Sequence, residues 1–289
     1  MWNKNIETFI GLDASFAEAS CVVFGAGMDS TTSYRPGTRF AMATMRKESF
    51  GLETYSPYQD LDLEDFSIFD AGDLELPFGN PRKALDMIKA TTKAILRENK
   101  LPCMVGGEHL VTLGAVEAVV EKYPDLKVIH FDAHTDLRQE YLGEKLSHAT
   151  VIRRVHDLIG DGKIYQFGIR SGERDEFMWA KKHTSLHKFN FEGLDEAIVQ
   201  CHGAPVYLTI DLDVLDPSVF PGTGTPEAGG VSFQELLSAI ISVSQLNVVA
   251  MDLNELSPVY DPSGASTALA CKILRELLLA INKEENTDE

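Results

Sequence analysis

The strongest constraint on this chain is a rhythm. Short apolar runs recur along it, separated by longer stretches that carry apolar residues at helical spacing. The runs are CVVFGAG (21–27), FSIFDAG (66–72), LPCMVGG (101–107), LKVIHFD (126–132), KIYQFGI (163–169), PVYLTIDLD (205–213) and NVVAMDLNE (247–255). Runs of this length read as strands buried on both faces. Between them, the stretch 81–99 opens on Pro81, suited to a first helical turn, and carries Leu85, Ile88 and Ile95 at helical spacing. Ser232 begins SFQE, a capping box with Glu235, and the stretch after Gly264 carries Leu269, Ile273, Leu277 and Leu278. Strand–helix alternation predicts an α/β fold with a mostly parallel central sheet covered by helices on both faces.

No repeat, linker or composition break divides the 289 residues. One domain is therefore expected over 1–289, with 1–20 as an N-terminal extension and 284–289 as a frayed charged tail. The 44 acidic against 26 basic residues leave a formal charge of −18, which argues against nucleic acid, whose binding surfaces need clustered Lys and Arg. Cys21, Cys103, Cys201 and Cys271 form no C-x-x-C pair and read as reduced thiols rather than a disulfide or zinc framework. No apolar run approaches the ~20 residues of a membrane helix. The opening MWNKNIETFIGLDASF lacks the basic start and long apolar core of a signal peptide. A cytoplasmic protein without membrane partners is expected.

In open parallel sheets, ligands collect beyond the carboxyl ends of the strands. Four of the expected strands end in metal-type side chains there. One delivers His109 after Gly106 and Gly107. The next delivers Asp132, His134 and Asp136, and a third delivers Asp211 and Asp213. The fourth ends at Glu255. Residues two apart on a strand share a face, so alternation brings each set to one spot. Taken singly, each has an ordinary reading: an Asp at a strand end caps a turn, and a loop histidine hydrogen-bonds its neighbours. Six ligand-type side chains at one sheet edge point instead to a cation pair, since four carboxylates and two neutral imidazoles carry a charge that two divalent ions cancel. Carboxylate-dominated sites with some imidazole suit manganese or magnesium better than zinc or copper. A pair of such ions makes a nucleophile of water near neutral pH, so metal-assisted hydrolysis is the expected chemistry. His130, inside a strand, reads as a buried hydrogen-bonded histidine, and His156, His183, His187 and His202 as surface or packing residues. Gly25 and Gly27 lack the third glycine and following helix of a dinucleotide loop.

The blocks GGEH, FDAHTD, TIDLDVLDPSVFPGTGTPEAGG and LNELSPVYD resemble, in order and spacing, the signatures of the ureohydrolases, the arginase/agmatinase family. GAGMDSTTSYRPGTRFAMATMR is similar to that family's N-terminal segment, so the likeness runs from about Val22 to Asp261. It implies a three-layer α/β/α fold, two Mn2+ per subunit, and a homotrimer or homohexamer. By that resemblance His109, Asp132, Asp136 and Asp211 would hold one ion. His134, Asp132, Asp211 and Asp213 would hold the other. Asp136 would carry a proton to the leaving amine, His148 would shuttle protons, and Glu255 would pair with the substrate guanidinium. Two positions depart from the family pattern: Ala149 follows His148 where Gly is common, and Leu110 follows His109 where Ser is usual.

Within the family, arginases carry Asn two residues beyond the last Asp of the DAHTD block, where this chain has Arg138. The segment resembles agmatinases, so agmatine, cleaved to putrescine and urea, is the expected guanidino substrate. Glu140 and Glu144 could face its distal ammonium or be solvated loop acids. Arg138 could instead hold a substrate carboxylate, which would favour guanidinobutyrate. Aminopropylagmatine, arginine and a non-catalytic polyamine-binding role are the other readings. The last would be signalled by a lost ligand or a lost Glu255, and all are present.

Overall fold

A computed structural model describes residues 7–282. Its strands are β1 (Cys21–Ala26), β2 (Tyr55–Ser56), β3 (Leu61–Asp62), β4 (Ile68–Asp73) and β5 (Leu101–Gly106). They continue with β6 (Lys127–Phe131), β7 (Ile164–Ile169), β8 (Ser185–Lys188), β9 (Pro205–Asp211) and β10 (Asn247–Asn254). The helices are α1 (Ala41–Ser49), α2 (Pro81–Arg97), α3 (Val111–Lys122) and α4 (Val151–Ile159). After them come α5 (Arg174–His183), α6 (Leu194–Cys201), α7 (Phe233–Val243) and α8 (Ala265–Asn282).

An eight-stranded sheet in the order β4-β1-β5-β10-β9-β6-β7-β8 forms the middle layer, and every pairing in it is parallel. The short β2–β3 ribbon is antiparallel. Strand side chains alternate between two cores. Cys21 and Val23 of β1 pack with α1, α6, α7 and α8, while Val22 and Phe24 face the core lined by α2, α3, α4 and α5. The same alternation sends Val206, Leu208 and Ile210 of β9 to the first core and Tyr207 to the second. This is the three-layer α/β/α architecture.

Local signals set the helix ends. Asn80 caps α2 by accepting from the Lys83 N–H at 3.0 Å, with Pro81 in the first turn. Ser232 and Glu235 close the expected capping box on α7. Strand β8 was not anticipated, because SLHK is a short, half-buried edge without an apolar run. Of the segment read as an N-terminal extension, Phe9, Leu12 and Ala19 are buried, and the Phe9 N–H donates to Asp70 at 3.0 Å. The expected frayed tail lies outside the described residues.

The strand order matters most for function. The chain runs from β5 to β6, yet β10 and β9 lie between them in the sheet. Four adjacent parallel strands therefore end side by side where the winding changes direction, the usual place for a ligand crevice in such sheets.

Candidate metal centre

Each of those four strand ends contributes. Beyond β5, Gly106 and Gly107 allow close approach: a Cβ on Gly107 would lie 2.0 Å from the Met28 carbonyl oxygen. His109 follows, its main-chain N–H donating to the Glu255 carboxylate at 2.7 Å, while the Glu255 N–H donates to the Gly107 carbonyl at 2.9 Å. Glu255 directly follows β10 with φ of 67°. Asp211 ends β9, and Asp213 sits in the next 3-10 turn with its N–H donating to Asp211 at 2.8 Å.

Strand alternation correctly brings Asp132, His134 and Asp136 together but gives the wrong local geometry. Strand β6 stops at Phe131. Beyond it the chain turns: the His134 N–H donates back to Asp132, Ala133 N–H donates to Asp213 at 3.1 Å, and Asp136 adopts φ of 52°. The three converge through a loop pinned by hydrogen bonds, not along an extended strand. The same holds for Asp211 and Asp213.

The result is a buried cluster in which carboxylates outnumber the protons that could link them. Nδ1 of His109 lies 3.0 Å from Asp132, 3.3 Å from Asp136 and 3.3 Å from Asp211. Nδ1 of His134 lies 2.9 Å from Asp213 and 3.5 Å from Asp132. One ring proton cannot serve three carboxylate oxygens, so this nitrogen points into a cradle built for a cation. The other nitrogen of His109 is held at 2.8 Å by the Thr209 hydroxyl, as expected of a ligating imidazole.

Electrostatics tell the same story. Burial and the charge of Asp132 push Asp136 up to about 7. Burial, then the charges of Asp213 and Asp132, hold Asp211 well above the carboxylate range. Burial opposes protonation of His109, yet Asp132, Asp136 and Asp211 together raise it well above an ordinary imidazole. Burial opposes protonation of His134 too, and Asp213 and Asp132 overcome it. Burial and then Asp213 likewise raise Glu255. Burial opposes ionisation of Asp132 as well, yet His130, His109 and His134 hold it well below the carboxylate range, so protons gather on its neighbours to relieve repulsion, a task divalent cations perform better. The donors are carboxylate oxygens and imidazole nitrogens without thiolate, and they fit manganese or magnesium.

A cavity of about 260 Å³ opens beside the cluster, lined by His134, Asp136, Arg138, Tyr141, His148 and Glu173 among others. His148 stands on its wall in a 3-10 turn capped by Ser147. Its Nε2 lies 3.2 Å from the Ser33 N–H, and burial plus the neighbouring His134 lower its pKa to about 4. Ala149 in the same turn has no positive φ, so this backbone does not need the glycine common in relatives. Leu110 is buried in the core beside α3. Glu255 is buried next to His109, from whose N–H it accepts, and is not among the residues lining this cavity. Glu140 and Glu144 are exposed and do not line the cavity.

With this geometry in place, comparison with known proteins is direct. The arginase family profile matches residues 19–280. The chain belongs to the arginase family. It is 52% identical to the agmatinase of Bacillus anthracis over 277 residues, covering 94% of this chain and 96% of that protein. Identity to the agmatinase of Bacillus subtilis (strain 168) is 50% over 282 residues, covering 96% and 97%. A crystal structure of a Clostridium difficile protein at 55% identity superposes with a TM-score of 0.90, covering 92% of this chain and 98% of that one. Membership of the arginase family makes the chain a ureohydrolase-type enzyme with a metal-dependent site.

Several supporting residues had no signal in the sequence. The Glu176 carboxylate, buried at the start of α5, accepts from the Thr135 hydroxyl, the Leu137 N–H at 3.0 Å and the Glu173 N–H at 2.7 Å. It therefore clamps both neighbours of Asp136. Arg170 donates to the Asp213 carbonyl at 2.7 Å and to the carbonyls of Gly168, Val214, Leu215 and Glu227, bracing the Asp213 turn. Glu108 ties the cluster to the loop after β1 through Thr31 and Thr32, and burial outweighs those bonds to push it up to about 7. Such pairs span tens of residues, beyond the reach of local pattern.

His156 and His183, read as surface or packing residues, meet on one carboxylate. His156 Nε2 and His183 Nδ1 each lie 2.7 Å from the same oxygen of Asp161, with Trp179 stacked on His183. His156 Nδ1 is buried without a partner. A metal on Nε2 would force a proton onto that nitrogen, so the trio is a hydrogen-bonded hub and not a second metal site.

Proposed function

We propose that the chain hydrolyses agmatine to putrescine and urea at a binuclear manganese centre. His109, Asp132, Asp136 and Asp211 would hold one ion, and His134, Asp132, Asp211 and Asp213 would hold the other. When bound, the ion pair activates a water for attack near neutral pH. Asp136 takes the proton released on attack and hands it to the departing amine, work that suits a buried carboxyl held on a pinned loop. Neutral His148, on the cavity wall, would shuttle protons between the site and solvent. Glu255, buried beside the His109 N–H from which it accepts, is the carboxylate that would pair with a guanidinium reaching beyond the cavity to the cluster. The observation that carries the reading is the convergence of three carboxylates on His109 Nδ1, at 3.0 and 3.3 Å, in a chain half-identical to agmatinases.

The substrate choice rests on Arg138. Its guanidinium lies 2.8 Å from Glu173 and 3.8 Å from Glu176, over the Tyr141 ring. A guanidinium already engaged by two carboxylates is a poor receptor for a substrate carboxylate, which disfavours guanidinobutyrate and arginine. The same reading makes the protein a cytoplasmic homotrimer or homohexamer of one-domain subunits. In keeping with it, no helix among the described residues is long and apolar enough to cross a membrane.

The test is a substrate panel on manganese-loaded protein, measuring urea from agmatine, arginine, guanidinobutyrate and aminopropylagmatine alongside bound metal. Agmatine should give the highest kcat/KM with two ions per chain. A preference for guanidinobutyrate would reassign Arg138 as the carboxylate receptor, and absence of urea from every substrate would overturn the hydrolase reading.

A further inference from the structure

His130 is wholly buried within β6, two residues before Asp132. Its Nε2 lies 2.8 Å from Asp132 Oδ2, the oxygen that also stands 3.0 Å from His109 Nδ1. Proximity alone leaves open whether this nitrogen offers a lone pair to a cation or a proton to the carboxylate. The neighbouring strand decides it. His130 pairs in register with Gln166 of β7. The Gln166 amide nitrogen donates to the Thr135 carbonyl at 2.8 Å, and its carbonyl oxygen accepts from the Thr184 hydroxyl at 3.1 Å. A main-chain carbonyl only accepts, so the amide cannot be turned the other way. The remaining N–H of that amide points at His130 Nδ1, 3.1 Å away, which must therefore present its lone pair. Neutral His130 then carries its single proton on Nε2.

We propose that His130 is a positioning residue: a fixed Nε2–H donor to Asp132, not a ligand, that sets how tightly the centre holds its ions. This rests on the reading above in which Asp132 binds both. Asp132 Oδ1 accepts from the His134 N–H and Oδ2 from His130, so one hydrogen bond on each oxygen stops the carboxylate from rotating and leaves its other lone pairs for the cations. Gln166 joins this to the loop, since the Thr135 carbonyl it holds lies between His134 and Asp136. One amide thus fixes the tautomer beneath Asp132 and the main chain beside Asp136.

The experiment titrates Mn2+ calorimetrically into metal-depleted wild type, His130→Leu and His130→Gln, with metal-free melting temperatures recorded. Glutamine carries an N–H donor at the distance of Nε2, whereas leucine fills the space without one. The expected result is about ten- to hundredfold weaker Mn2+ binding in His130→Leu at unchanged stoichiometry. His130→Gln should recover most of that loss. Leucine binding as tightly as wild type would overturn the proposal, as would equal weakening in both variants, which a packing role alone would give. If His130→Leu fails to fold, Gln166→Leu carries the test: freeing the tautomer should weaken binding about tenfold, and unchanged binding would refute the relay. Wild type that takes up no Mn2+ would sink the metal-centre reading itself, a different failure.

Discussion

Two groups of imidazoles and carboxylates in this molecule use the same side chains to opposite ends. At the surface, two imidazoles share one oxygen of Asp161, each at an ordinary 2.7 Å. In the crevice, one imidazole nitrogen faces three carboxylates at 3.0 to 3.3 Å. The ratio decides the chemistry. Where donors match acceptors, hydrogen bonds close the account and the group stitches α4 to α5. Where buried carboxylates outnumber the protons between them, repulsion favours the entry of a cation. Composition at this scale is a poor guide to function; the count of acceptors per proton is a good one.

The largest effect expected from this contrast lies at Asp136. Asp136→Asn removes a charge from the crowded side, so the fold should hold or gain stability while kcat falls roughly 10²–10⁴-fold through loss of the proton carrier. Stopped-flow or steady-state urea assays with a thermal melt would check it, and near-normal kcat would take Asp136 out of the mechanism. A smaller effect is expected one layer out. Glu176→Gln sets an amide N–H against donors that now meet a carboxylate, costing about 1–3 kcal/mol of stability and lowering kcat with little change in KM. An unchanged melt would show that the clamp on Thr135 and Leu137 is dispensable.

The smallest effect belongs to the surface trio. Hydrogen bonds from His156 and His183 hold Asp161 below the usual carboxylate range. A depressed carboxyl stabilises the fold above its unfolded pKa, and that contribution fades as pH falls through its folded pKa. Asp161→Asn should therefore melt slightly earlier than wild type at pH 7, and the gap should close in acid. Turnover and any rise in Tm on adding Mn2+ should stay as in wild type, since no residue of the trio belongs to the candidate metal cradle. Lost metal stabilisation in this variant would break the distinction between the two groups.

Much of the candidate site was legible beforehand because its metal-type side chains sit in short blocks at strand ends, where chemistry writes itself into consecutive residues. His109, Asp132, His134, Asp136, Asp211, Asp213 and Glu255 all fall where β5, β6, β9 and β10 stop. The supports were not legible. Glu176 reaches back 39 residues to Leu137, and Gln166 reaches 36 to His130, each from an otherwise ordinary helix start or strand. Fold class was readable from buried apolar runs, which parallel strands require. Strand β8 escaped because a sheet edge needs only one covered flank, and SLHK carries no apolar run. The turn after β6 escaped for a related reason: alternation describes extended chain, and long-range hydrogen bonds donated by its N–H groups to Asp213 and Glu176 bend it.

Asp136 and Glu255 share one further property, φ angles of 52° and 67° that side chains rarely tolerate. Each such bend costs about 1 kcal/mol that glycine would not incur. Selection for heat resistance alone would therefore drift toward Asp136→Gly, which relaxes the main chain and removes a like charge at once, and would arrive at a sturdier protein that no longer makes urea. Durability and turnover pull this molecule in opposite directions at the same atom positions, so any effort to harden it has to start elsewhere.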